Sequence, residues 1–190
     1  MAGYPGRAEA ERILREAECC NPGPWGDHSR TAAHCAERIA AVAGLNPEKA
    51  WTMGLLHDIG RKFGVFHMPH IYYGYHYMLQ LGYPDIARVC LTHSFATPDF
   101  STYIGKRDLP EEKQEEMFRL LQTRAYDDYD RLIQLCDCLA GNGYVVDMEQ
   151  RMLDVKKRYG SYPQAKWDNN LRLRRYFEEK THRDIYELVR

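Results

Sequence analysis

The octapeptide LLHDIGRK, residues 55–62, places a histidine and an aspartate side by side between an apolar run and a basic pair. Imidazole and carboxylate groups are common ligands for zinc, iron, manganese and related ions. His57 and Asp58 could therefore hold a metal ion together, or they could be polar residues at the end of a helix. Adjacent residues on a regular helix point about 100° apart. Both side chains can reach one ion only if the helix ends here and the chain bends.

Polar residues within other apolar stretches extend this pattern. Asp137 lies in LIQLCDCLAG, where a carboxylate cannot reach water without exposing its apolar neighbours. Because a buried, unpaired carboxylate is unfavourable, Asp137 needs a metal, an arginine or a helix N-terminus as its partner. Histidines with comparable positions on other predicted helices are His28, His76 and His93. Such groups on separate helices can converge on one metal site in a helical bundle.

The remaining histidines are weaker candidates. His34 follows His28 by six residues, about 240° around a helix, so the two cannot serve one site, and we favour His28. His67 and His70 flank a Met-Pro pair in a predicted loop, where exposure is the expectation and a role at a second metal is the alternative. His182 is expected at the surface.

Helical periodicity covers nearly the whole chain, and strand-like alternation is nowhere convincing. Capping and breaking residues predict helices at about 7–20, 28–43, 47–59, 69–81, 84–95, 110–122 and 126–140, followed by two or three more amphipathic helices. The fold prediction is an all-α, single-domain helical bundle of irregular topology. In it, residues 1–24 pack on the core, 25–143 form the metal-binding core, and 144–190 are a helical extension of the same domain.

Composition and charge exclude several classes of function. Hydrophobic residues make up 44% and charged residues 28%, with a formal net charge of −1, so nothing drives general binding to nucleic acid or anionic membrane. No apolar run approaches the roughly 20 residues of a membrane span, and charges interrupt the N-terminal stretch. We expect a cytoplasmic protein that binds neither nucleic-acid polymers nor membranes. The six cysteines include no CxxC pair. This favours cysteines that are buried as small hydrophobic residues over a metal site made of thiolates.

These motifs resemble the HD superfamily of metal-dependent phosphohydrolases, in the variant whose motif is written HDIG. The resemblance runs from about residue 25 to 143. The family order is a first histidine, the HD pair and a later aspartate, matched here by His28, His57, Asp58 and Asp137. The resemblance implies that these residues hold a divalent transition metal, with iron or manganese favoured and zinc, nickel or cobalt as alternatives.

Some family members bind a second metal through two more histidines between the HD pair and the final aspartate. His76 and His93 resemble those positions. Small bacterial enzymes that split symmetric dinucleoside tetraphosphates share this arrangement. The resemblance therefore implies one or two ions and a small phosphorylated substrate, with a nucleotide favoured.

The implied mechanism is hydrolysis by a metal-activated water. Asp58 would ligate the metal and also orient or deprotonate the water. A basic residue after HDIG commonly faces the substrate phosphate in this family, which points to Arg61, followed by Lys62; the alternative is a solvated helix end whose cations oppose the helix dipole. Lys106 and Arg107 end the loop between two ligand helices, and we predict substrate contact there, with simple surface charge as the alternative.

Two other functions remain open from the sequence. An HD-fold oxygenase with a di-iron pair uses a similar ligand set, and a non-catalytic HD module could bind nucleotide or metal without turnover. A homodimer is also possible. Assaying phosphate release with and without oxygen separates hydrolysis from oxygenation.

Overall fold

The computed structural model of the protein describes residues 3–190. Over that range the chain forms ten α-helices: α1 (Arg7–Cys20), α2 (Trp25–Ala43), α3 (Pro47–Leu56), α4 (Pro69–Gln80), α5 (Pro84–Thr92), α6 (Glu111–Gln122), α7 (Asp128–Leu139), α8 (Met148–Tyr159), α9 (Gln164–Thr181) and α10 (Ile185–Val189). Extended pairing in these residues is confined to one isolated bridge between Ala140 and Val145. The all-α prediction is confirmed.

The central pair of helices, α2 and α3, packs backbone against backbone. A Cβ atom added to Gly54 would lie 2.7 Å from the Cα of Ala33, so only glycine permits this approach. The face of α2 at this contact is made of small buried residues, including Ala32, Ala33, Ala36 and Ala40. Because Gly54 lies near the end of α3 and Ala33 in the first half of α2, the end of α3 is brought towards the start of α2. This packing brings together the two segments that carry His57 and His28.

Helix ends near the HD motif differ from the sequence prediction. The helix α2 begins at Trp25, three residues before His28. The helix α3 ends at Leu56, and residues 59–63 form a tighter 3-10 turn. Between them Asp58 has φ −101° and ψ 14°, outside the helical region. The helix α3 therefore ends just before His57 and Asp58, so these adjacent residues can both face one metal ion.

The 3-10 turn after the HD pair lies against the first turns of α4. A Cβ atom on Gly60 would lie 1.8 Å from the carbonyl oxygen of His70 and 2.7 Å from the amide nitrogen of Gly74. Gly60 is thus required by a close approach of two backbone segments. The same contact brings the start of α4, with His70, beside the HD pair.

We expect Gly60→Ala to lower the free energy of unfolding by about 2 kcal/mol or more, because the added methyl group meets rigid backbone. Urea denaturation would measure the change. Gly6→Ala is the control: a Cβ there has nothing within 4 Å, and a change within about 1 kcal/mol is expected. A Gly60→Ala protein as stable as the wild type would contradict this close packing.

The last three helices complete the bundle on the α7 side. Both α8 and α9 contact α7, and α9 and α10 contact α2, whereas α1 packs on α3 at the other end of the chain.

The cysteine prediction holds only in part: Cys35, Cys90 and Cys136 are buried, but Cys19 and Cys20 are exposed. Within residues 3–190, no helix combines the length and apolar character needed to span a bilayer.

Candidate metal centre

Four imidazoles and two carboxylates meet where several helices begin or end. They come from α2, from the turn after α3, from α4, from the end of α5 and from α7, as His28, His57, Asp58, His70, His93 and Asp137. His57 belongs to two groups of three candidate ligands, one with His28 and Asp137 and the other with Asp58 and His93. Within each group the ligand atoms lie within 4.8 Å of one another. His70 Nε2 adds to the second group, at 3.2 Å from Asp58 Oδ1 and 3.4 Å from His93 Nε2.

Each of the four imidazoles is oriented by a backbone carbonyl. The Nδ1 atoms donate to the carbonyl oxygens of Ala140 for His28 (3.0 Å), Gly54 for His57 (2.7 Å), Cys90 for His93 (2.9 Å) and His67 for His70. A proton on Nδ1 leaves the lone pair on Nε2, the tautomer that a metal ligand needs. The hydrogen bonds therefore preset all four Nε2 atoms as ligands.

Two atoms at the heart of the cluster lack a hydrogen bond. His57 Nε2 and Asp58 Oδ1 are both buried, and both are unsatisfied. With Nδ1 protonated, His57 Nε2 is an acceptor, and so is a carboxylate oxygen. Buried acceptors gathered in one cluster need a cation among them. A mixed nitrogen and oxygen donor set of this kind fits a divalent transition metal.

The two carboxylates of the cluster are held in the ionised form. Burial alone would raise the pKa of Asp58, but Arg61 and His70 outweigh it and hold that pKa well below its usual range. Burial likewise opposes ionisation of Asp137, and the neighbouring His28, whose Nε2 lies 3.0 Å from Asp137 Oδ1, lowers the pKa of Asp137 strongly. The side chain of Asp137 is 31% exposed and faces a cavity. Ionised carboxylates are the form that binds metal.

The deeper imidazoles are held neutral. Burial lowers the pKa of His57, and burial together with the neighbouring ring of His57 lowers the pKa of His93 to about 3. Both rings are therefore unprotonated near neutral pH. This is again the state in which an imidazole can coordinate a metal.

His76 is not part of the cluster, so the structure does not bring this predicted ligand to the other candidates. Its Nε2 lies 3.3 Å from Glu116 Oε1, and its ring packs at 4.4 Å from that of Tyr72. Six residues separate His76 from His70, about 240° around α4, so the two point to opposite sides. Pro69 at the first position of α4 was the sequence signal that His70 begins a helix.

Two other histidines lie as the sequence indicated. His34 and His182 are exposed. His67 is half-buried, and its carbonyl orients His70. The loop before α4 thus orients one candidate ligand of the cluster through a backbone carbonyl.

Arg61 is placed to serve both the cluster and a substrate. Its Nε donates to Asp58 Oδ2, while the residue also lines two adjoining cavities of about 220 and 330 Å³. Lys62 is directed elsewhere, with its Nζ 3.9 Å from the ring centroid of Tyr77 on α4. The expectation that Lys62 would contact substrate is not supported by this placement.

The cations of the loop after α5 also point away from the cluster. Lys106 is exposed and lines neither cavity, and Arg107 is exposed and donates to the carbonyl oxygen of Phe100 at 3.2 Å. The loop itself does border the 220 Å³ cavity, where Ile104 lines the wall. The structure does not bring Lys106 and Arg107 to either cavity, and their contact with substrate stays a prediction.

The two cavities share a set of polar lining residues: Arg61, His93, Ser94, Asp137, Arg151 and Arg158. Lys166 lines the 220 Å³ cavity. Sequence reasoning missed the cations of α8 and α9, although the chain becomes more basic after residue 144. Periodicity places those cations on helices but does not indicate which of them face the cavity.

Fold and site together define an all-α protein with a buried histidine–aspartate centre suited to divalent metals. A model described as the HD domain matches residues 25–142, more than half of the chain. The chain belongs to the HD domain family. Neither a curated protein nor a solved structure was found to match it.

Proposed function

We propose that the protein is a metal-dependent phosphohydrolase that cleaves a phosphoester or phosphoanhydride bond in a nucleotide or another small phosphorylated metabolite. The observation that carries the proposal is the cluster of preset Nε2 atoms and ionised carboxylates beside a cavity lined by arginines. Membership of a family that consists mostly of metal-dependent phosphohydrolases supports it.

Two divalent ions fit the arrangement of ligands. His28, His57, Asp58 and Asp137 would hold the first. His70 and His93 would hold the second together with Asp58, whose Oδ1 lies 3.2 and 3.6 Å from their Nε2 atoms. Iron or manganese suits mixed imidazole and carboxylate ligation, and zinc, nickel or cobalt are alternatives.

The residues of the chain then divide the work of hydrolysis. Bound divalent ions would lower the pKa of water and neutralise charge on the phosphate. Asp58 would orient the water, because Arg61 binds Oδ2 while Oδ1 faces the cluster. Arg61 uses only Nε for Asp58. Its two terminal nitrogens are left to bind phosphate oxygens.

Elemental analysis of anaerobically purified protein, followed by a screen for phosphate release from nucleotides and phosphoesters, tests the proposal. We expect about two transition-metal ions per chain, loss of phosphate release after chelation, and recovery with manganese or iron. Full activity in metal-free, folded protein would overturn it.

Running the same screen with and without oxygen addresses the competing chemistry. Two adjoining ligand groups that share His57 also suit a di-iron oxygenase. Equal phosphate release under both conditions supports hydrolysis. A product that forms only with oxygen would favour the oxygenase, and tight metal binding without any turnover would favour a non-catalytic module.

A further inference from the structure

One wall of the cavity beside the metal centre comes from helices beyond the region that matches the HD domain. Arg151 and Arg158 on α8 and Lys166 on α9 line the 220 Å³ cavity, and the two arginines also line the 330 Å³ cavity that contains His28 and Asp58. The C-terminal helices therefore add three cations to the space that Arg61 enters from the HD motif.

These three cations lack acidic partners. Within residues 3–190, none of Arg151, Arg158 and Lys166 forms an ion pair. Lys166 Nζ donates instead to the carbonyl oxygen of Ser94, at 2.7 Å. Cations elsewhere in the bundle do face carboxylates, among them Arg30, Arg88, Arg131, Arg174 and Lys180. Unpaired cations gathered around one partly enclosed space indicate that the anion comes from a ligand.

The acids that face the same space cannot neutralise these cations. Asp58 is engaged by Arg61 and the imidazoles, and Asp137 by His28. Metal ions bound to the two carboxylates would make the space still more positive. The ligand must therefore carry more negative charge than the metal centre alone requires.

We propose that Arg151, Arg158 and Lys166 form a second anion subsite, and that the substrate carries two or more linked phosphate groups. This inference rests on the proposed function. One phosphate lies at the metal centre and Arg61, and the next lies on the cations of α8 and α9. Adjacent phosphates can reach both subsites because Arg151 and Arg158 border the same cavity as His28 and Asp58.

The size of the cavity that all three cations line agrees with this division. At about 220 Å³ it is smaller than the roughly 300–1,000 Å³ of sites that enclose a drug-sized ligand. It has room for compact phosphate groups, and the remainder of the substrate extends through the opening. The subsite thus selects for the number of linked phosphates.

Binding of inorganic tripolyphosphate to the full chain, measured by calorimetry at fixed salt in the presence of a chelator, tests the subsite without the metal centre. We expect tripolyphosphate to bind at least about tenfold more tightly than inorganic phosphate. Arg158→Ala and Lys166→Met should each weaken tripolyphosphate binding by about tenfold or more, since each removes a cation that would bind a phosphate oxygen. Arg158 is exposed, so its variant is expected to fold.

Matched controls come from the same helices. Lys157 on α8 and Arg175 on α9 are exposed and line neither cavity, so Lys157→Ala and Arg175→Ala should bind tripolyphosphate within about twofold of the wild type. Equal weakening in subsite and control variants, or no preference for tripolyphosphate over phosphate, would overturn the subsite. Subsite binding without phosphate release from any substrate would overturn only the hydrolase proposal. Phosphate release with a KM for diphosphate substrates that is unchanged in Arg158→Ala would overturn only the subsite.

Discussion

Asp58→Asn should reduce phosphate release by more than about 10³-fold while the chain remains folded. The amide keeps the volume of the carboxylate but removes the charge that Arg61, His70 and His93 all face. It would weaken both metal positions and remove the carboxylate that orients the water. Phosphate release at saturating metal, with metal content per chain measured in parallel, gives the result.

Asp130→Asn is the matched control for a buried carboxylate. Asp130 is fully buried and accepts hydrogen bonds from Arg88, Thr92 and the backbone nitrogen of Asp127, far along α7 from the metal centre. The variant should lose about 2 kcal/mol or more of stability but keep its metal. If Asp58→Asn retains more than roughly a tenth of the activity, Asp58 does not lie at the catalytic centre.

His70→Ala should remove about one metal ion per chain and lower phosphate release by more than about 100-fold, whereas His76→Ala should leave both nearly unchanged. The ring of His70 is buried against Asp58 and His93, and removal of its Nε2 leaves the second position with one imidazole. The side chain of His76 is 39% exposed and pairs with Glu116. An exposed pair of that kind contributes little.

Elemental analysis of both variants, prepared side by side with the wild type, separates the two histidines. Thermal denaturation of the metal-free proteins checks that each variant is folded. Loss of metal in His76→Ala with full retention in His70→Ala would contradict the geometry of α4. Full metal content in both would indicate that His28, His57, Asp58 and Asp137 form the whole site.

Local features of the sequence were sufficient to predict the helices and to select the first group of candidate ligands. Apolar periodicity indicates where helices lie, and proline, glycine and asparagine indicate where they begin and end, because these features act over three or four residues. The HD pair was recognised for the same reason: an apolar run before His57 and a glycine after Asp58 mark a helix end. His28 and Asp137 were found through polarity within apolar stretches and through the family order.

Only the tertiary structure decided which neighbouring residues face the centre. His70 and His76 share one short helix, and the choice between them depends on the rotation of α4, which the backbone contact between Gly60 and His70 sets. The same holds for the cations. Lys106 and Arg107 were favoured because their loop joins two ligand helices, yet the cations that border the cavity come from α8 and α9. These outcomes depend on packing between different helices, where interhelical contacts rather than local periodicity fix the direction of each side chain.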